Sequence, residues 1–161
     1  MVKDTFNISF MSLLFQYCQK IVVFSEDLNQ VLLCKRKGEA DYDGIFSFIG
    51  GKMETTDESI QAGLQREKNE EVGENFKIQL YPTFSTNLLF QKKDGNSMIL
   101  PHFFSIYESG EITLNEEYSE YAWVNITDLE TFEPKIPSIP HTVQTLLRLK
   151  NVIKDEEYIL L

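Results

Sequence analysis

The chain opens with apolar runs separated by turn-forming residues. Residues 21–24 (IVVF) are followed by the turn-forming stretch 25–29 and then by residues 31–34 (VLLC), which predicts a hairpin. A polar loop, residues 35–44, leads into the apolar-aromatic run 45–49 (IFSFI), and Gly50 and Gly51 then break the strand. Residues 10–15 (FMSLLF) read as the lead-in to a first strand. They are followed by polar Gln16 and lack the small-residue pattern of a cleaved signal peptide.

From Asp57 to Val72 the pattern changes to helix formers, with Thr55 or Thr56 as the expected cap. Asp57 and Glu58 suit its positive first turn, and Gly73 stands where a left-handed C-terminal cap is expected. Strand patterns return over residues 77–80, 86–91, 98–107 and 121–124, with Asp94, Gly95 and Asn96 as a turn. A short helix is expected over 127–130, then a loop with Pro134, Pro137 and Pro140. Val143, Leu146, Leu147, Leu149 and Ile153 mark an amphipathic terminal helix over 141–154. Strands, helix, strands, helix in one chain without repeats or linkers predict a single α/β domain over residues 1–161.

The acids sit in one informative place. On a helix turning about 100° per residue, Glu67, Glu70 and Glu71 share a face with Ile60 and Leu64, which should point inward. Like charges at this spacing repel one another, oppose the helix dipole and resist burial. A hard divalent cation, Mg²⁺ or Mn²⁺, reverses all three penalties. The competing reading, a solvated acidic surface held by Arg66 and Lys68, leaves the preceding glycine pair unexplained.

Composition narrows the partner. With 161 residues, 42% hydrophobic, the chain can bury a core, and its formal net charge of −10 argues against nucleic-acid polymers and anionic membranes. No apolar run is long enough to span a bilayer. Cys18 and Cys34 fall in apolar segments without a CxxC pattern, so free buried thiols and a cytoplasmic location are expected.

Residues 51–73 resemble the Nudix box, GX5EX7REUXEEXGU, where U is a bulky aliphatic residue. Arg66, Glu67, Glu70, Glu71 and Gly73 stand at the positions of its second half, and Glu58 lies as far before Arg66 as the pattern asks. The sequence departs from it in three places. Lys68 replaces the aliphatic residue, the loop from Gly51 to Glu58 is one residue longer, with Asp57 the other acid available, and Ile49 precedes the glycines instead of proline.

The resemblance implies an α/β fold, a Nudix-type α/β/α sandwich with a mixed central sheet. It also implies hydrolysis of a nucleoside diphosphate linked to another group, with Mg²⁺ or Mn²⁺ as cofactor. Glu67, Glu70 and Glu71 match the metal-binding glutamates, and Gly50 supplies a carbonyl ligand. Glu67 or Glu70 is the general base, and Arg66 forms a structural salt bridge with Glu58. Arg36 and Lys52 match positions that meet substrate phosphates. A further metal-binding acid comes from the segment before Trp123, with Glu117 favoured over Glu116 and Glu120; Trp123 itself is read as a packing residue. Nucleoside triphosphates, including oxidised ones, are the leading substrates, giving monophosphate and pyrophosphate; ADP-ribose or another nucleotide sugar is second, and dimers are common in the family. A non-catalytic nucleotide-binding module is the remaining alternative. A prenyl-diphosphate isomerase would need an acid beside Cys18 or Cys34, and a calcium buffer would need a DxDxDG loop.

Overall fold

A computed structural model describes residues 15–153 and 157–161. The lead-in read over residues 10–15 therefore lies outside the described residues except for Phe15, as does Lys154 at the end of the expected terminal helix. Eight strands occur among the described residues: β1 Phe15–Tyr17, β2 Lys20–Phe24, β3 Gln30–Arg36, β4 Phe46–Ser47, β5 Lys77–Gln91, β6 Ser97–Ser109, β7 Tyr118–Asn125 and β8 Ile159–Leu160. Two helices accompany them, α1 Ile60–Val72 and α2 Ile139–Val152.

The hairpin of β2 and β3 is present, closed by the antiparallel pair Phe24–Val31 and a Ser25 N–H to Gln30 carbonyl bond of 2.9 Å. β6 pairs in parallel with β1 and β2 and antiparallel with β5, while β3 pairs antiparallel with β4 and β7, so the sheet is mixed. Alternation along β2 assigns the two faces. Val22 and Phe24 join Ile139, Val143 and Leu146 of α2, whereas Ile21 and Val23 join Leu64 and Val72 of α1. One helix thus covers each face, as the α/β/α expectation requires.

Several boundaries differ from the sequence reading, each for a local reason. Residues 77–80 and 86–91 form one strand whose pairing shifts between Leu80 and Ser85, around Pro82, which has no N–H to give the ladder. The run 45–49 forms only a two-residue strand, and Ile49 instead bridges Ile21. The helix expected at 127–130 is a single 3₁₀ turn, Ile126–Asp128. α2 starts earlier than read, because Pro140 sits in its first turn, where a missing N–H costs nothing.

α1 also starts later than its composition suggested. Ser59, not Thr55 or Thr56, is the cap, accepting the Ala62 N–H at 3.0 Å, so Asp57 and Glu58 precede the helix. Gly73 has the positive φ expected of it, 94°, but its ψ of 155° is not left-handed helical. The buried stripe runs through Gly63, Leu64, Glu67, Lys68, Glu71 and Val72, while Ile60, read as inward, is exposed in the first turn. Lys68 is fully buried, and its ammonium donates to the carbonyls of Gly73 at 3.2 Å and Phe76 at 2.8 Å, tying down the end of α1. Its stem fills the place of an aliphatic side chain, and burial lowers its pKa to about 8.

Candidate active site

The turn at Gly50 and Gly51 is held by the start of β2 and the residue before it, through the Gln19 N–H to Gly51 carbonyl bond at 3.0 Å and the Ile21 N–H to Ile49 carbonyl bond at 2.9 Å. The buried stripe of α1 faces this turn. Glu71 accepts the Gly50 N–H at 2.6 Å and the Tyr118 hydroxyl at 3.2 Å. A Cβ at Gly51 would meet the Glu67 carboxylate oxygens at 2.4 and 2.7 Å, so only glycine allows this approach. Gly50 has φ +114°, and a Cβ there would lie 2.3 Å from the Gln19 carbonyl oxygen.

Burial dominates the electrostatics of the two inward acids. It pushes the Glu71 carboxyl up to about 7, with the neighbouring Glu67 and Glu117 adding to the rise and Lys20 and the Gly50 N–H opposing it. Burial raises Glu67 as well, against the pull of Arg66 and Lys20. Glu70 is different. Its side chain is 55% exposed and touches Arg66 at 3.3 Å.

The expected bridge between Glu58 and Arg66 is replaced by one between Asp57 and Arg66. Arg66 Nε meets Asp57 Oδ1 and Arg66 Nη2 meets Asp57 Oδ2, both at 2.9 Å, in a two-pronged pair. Glu58 is exposed, one position before the Ser59 cap. The reason is the later start of α1. The extra loop residue moves Asp57 into the acidic position, where it also accepts the Glu54 N–H at 2.8 Å. Arg66 holds Asp57 down to about 2, and further bonds the Lys52 carbonyl at 3.1 Å and Glu67 at 2.8 Å.

These residues open onto a cavity of about 850 Å³. Its charged side is lined by Lys20, Arg36, Lys52, Arg66, Glu67, Glu70, Glu71 and Glu117. Of the three acids before Trp123, Glu117 lines this cavity, while Glu120 pairs with Lys35 at 3.1 Å on the surface and Glu116 is exposed. Arg36 donates to Glu39, and its Nε is buried without a hydrogen-bond partner, as is the Ser47 hydroxyl on the cavity wall. The apolar side includes Phe48, Leu88, Phe90, Met98 and Ile139. His102 stands there too, its Nδ1 at 2.9 Å from the Leu100 carbonyl and its pKa lowered by burial to about 4, so the ring is neutral. Phe84 and Phe104 belong to the core, and half-buried Trp123 meets Tyr107 edge-on.

Among the described residues no three acids, histidines or cysteines already converge as a metal cluster. Each already has a partner: Glu67 and Glu70 both accept from Arg66, and Glu71 accepts from the Gly50 N–H and the Tyr118 hydroxyl. The donor set nevertheless suits a hard divalent cation. Two carboxylates forced under cover against a glycine turn are stabilised in their charged form by such an ion. Sequence reasoning missed Lys20, Ser47 and Tyr118 as parts of this cavity. Tyr118 could have been found from its place beside Glu117, but nothing in the pattern around Lys20 or Ser47 marks them.

Gly51→Ala is expected to cut turnover at least roughly tenfold with unchanged circular dichroism, because the added methyl displaces the Glu67 carboxylate. Steady-state kinetics beside a spectrum checks it, and a fully active variant would contradict the packing described.

A family model described as the NUDIX domain matches residues 17–146. A relative named nucleoside triphosphatase NudI, from Escherichia coli O139:H28 (strain E24377A / ETEC), is 30% identical over 130 residues, covering 76% of this chain and 88% of the relative. Among solved structures, a MutT NUDIX hydrolase from Burkholderia pseudomallei superposes with a TM-score of 0.67 at 20% identity, covering 82% of this chain and 98% of that one. An Ap4A hydrolase from C. elegans gives a TM-score of 0.69 at 12% identity, covering 86% and 99%. Among the described residues no helix is long and apolar enough to cross a membrane.

Proposed function

The chain belongs to the Nudix hydrolase family, which acts on phosphoric anhydride bonds of nucleotides, and from that premise we propose that it cleaves nucleoside triphosphates to monophosphate and pyrophosphate with Mg²⁺ or Mn²⁺. One observation carries the reading: two buried glutamates, Glu67 and Glu71, turned against the Gly50 and Gly51 turn at the mouth of a cavity with basic and apolar walls. The name of the 30% identical relative, a nucleoside triphosphatase, supports the same substrate class.

Glu67, Glu70, Glu71, Glu117 and the Gly50 carbonyl would hold the cation. Bound there, it supplies positive charge against the polyphosphate and acidity to an attacking water. The rest falls to the chain itself. Arg36, with its unpartnered Nε, and Lys52 meet phosphate oxygens and balance the charge that builds on the leaving group. Glu67 takes the proton from the water, its carboxylate held against the glycine turn, with Glu70 the other base within the same helical turn. Arg66 positions Glu67 while clamping the loop through Asp57. The apolar wall beside Phe48 and Phe90 suits a nucleobase, and its volume falls within the range of small-ligand sites.

The test is a comparison of kcat/KM for nucleoside triphosphates, plain and oxidised, with that for ADP-ribose under saturating Mg²⁺. A preference for triphosphates of at least roughly tenfold is expected. A preference for ADP-ribose would replace this substrate, and tight binding without turnover would replace the enzyme by a binding module.

A further inference from the structure

Lys20 has no place in the motif that marks this site, yet it is built into it. It opens β2 between Gln19 and Ile21, the two residues that pin the glycine turn, and its Cα lies 3.0 Å from where a Gly50 Cβ would be. The half-buried side chain lines the cavity, and its ammonium donates to the Gly50 carbonyl. That carbonyl is the one the family resemblance assigns to the cation. The same positive charge bears on Glu67 and Glu71 on one wall and on His102 on the other.

We propose that Lys20 is the built-in counter-ion of the acidic site, holding the Gly50 carbonyl until a divalent cation takes it and then turning to the substrate's phosphate oxygens. The proposal rests on the metal-site reading of Glu67, Glu70 and Glu71. An ammonium and a divalent cation cannot share one carbonyl oxygen at contact distance without strong repulsion, so binding of the cation must release the lysine. A released ammonium on four methylenes, inside a cavity rich in its own acids, has one new anionic partner when substrate enters, the polyphosphate. Lysine serves phosphate well as a mobile point charge. The resident charge also favours the ionised form of both buried glutamates.

The proposal predicts two effects of opposite sense in Lys20→Met. Without its internal competitor the free protein should bind Mn²⁺ tighter, on the order of tenfold. With substrate present, KM for a nucleoside triphosphate should rise several-fold while kcat changes less. A lysine that merely props up β2 would not tighten Mn²⁺ binding when removed. Free Mn²⁺ is counted by its electron paramagnetic resonance signal in titrations of wild type, Lys20→Met and Lys20→Gln, the second variant securing the result should the first fail to fold. Tighter Mn²⁺ binding with a raised KM sustains the proposal. Equal or weaker Mn²⁺ binding in the folded variants, with wild type binding normally, overturns the role of Lys20 alone. Wild type that binds no Mn²⁺ overturns the metal-site reading as well.

Discussion

Glu71→Gln is expected to lower turnover by roughly a hundred- to a thousandfold and, at pH 8 without divalent cations, to raise the melting temperature. The two effects have one origin. Glutamine keeps the shape and can still accept from the Gly50 N–H and the Tyr118 hydroxyl, but it carries no charge for a cation. In the wild type the folded state holds the Glu71 proton more tightly than the unfolded chain does, because burial raises the carboxyl from 4.5 to about 7. Between these values the folded protein binds more protons, so its stability falls as pH rises through that window. The fall is about 3 kcal/mol if the whole shift counts, and Glu67 adds to it in the same direction. Glutamine at position 71 removes the larger part of that decline. Melting curves at pH 5 and pH 8 with chelator present, beside initial rates with Mg²⁺, check both halves. A variant with wild-type turnover would dismiss Glu71 from the site.

The second large effect concerns the acid that holds the loop. Asp57→Ala should cut activity roughly ten- to a hundredfold, whereas Glu58→Ala should stay within about twofold of wild type. Asp57 receives both prongs of Arg66 and the Glu54 N–H, and Arg66 in turn touches Glu67. Removing the carboxylate frees Arg66 to turn further onto Glu67 and Glu70, two of the acids proposed to hold the cation. Because Arg66 keeps Asp57 ionised down to about pH 2, this clamp should be insensitive to pH across any working range, and is lost only as pH falls through that value. Paired rate measurements on the two alanine variants decide which acid holds Arg66. The reverse order of effects would restore Glu58 to the role first read for it.

How far the sequence could be read depended on whether a feature was local. The hairpin of β2 and β3, the glycine turn and the acidic turn of α1 are written in adjacent residues, and each was legible. The start of α1 was not. The choice between Thr55, Thr56 and Ser59 as cap depends on where Arg66 finds a carboxylate, which is settled across the turn rather than along it. Lys68 looked like a defect, yet its stem packs as an aliphatic while its ammonium finds two carbonyls just beyond the helix. Lys20, Ser47 and Tyr118 enter the cavity only because β2, β4 and β7 bring them there. No spacing in the chain records that. Even the overall acid excess divides only in three dimensions. Glu120 is a surface partner of Lys35, whereas Glu67 and Glu71 lie under cover.

The central claim is that this site breaks the anhydride bond of a nucleoside triphosphate between its α and β phosphorus atoms. Phosphorus-31 NMR of a triphosphate incubated with the protein and Mg²⁺ tests it most directly. The account predicts equal growth of monophosphate and pyrophosphate signals, absent with chelator and at least roughly a hundredfold slower with Glu71→Gln. Orthophosphate appearing with nucleoside diphosphate, or an unchanged triphosphate spectrum, would contradict it.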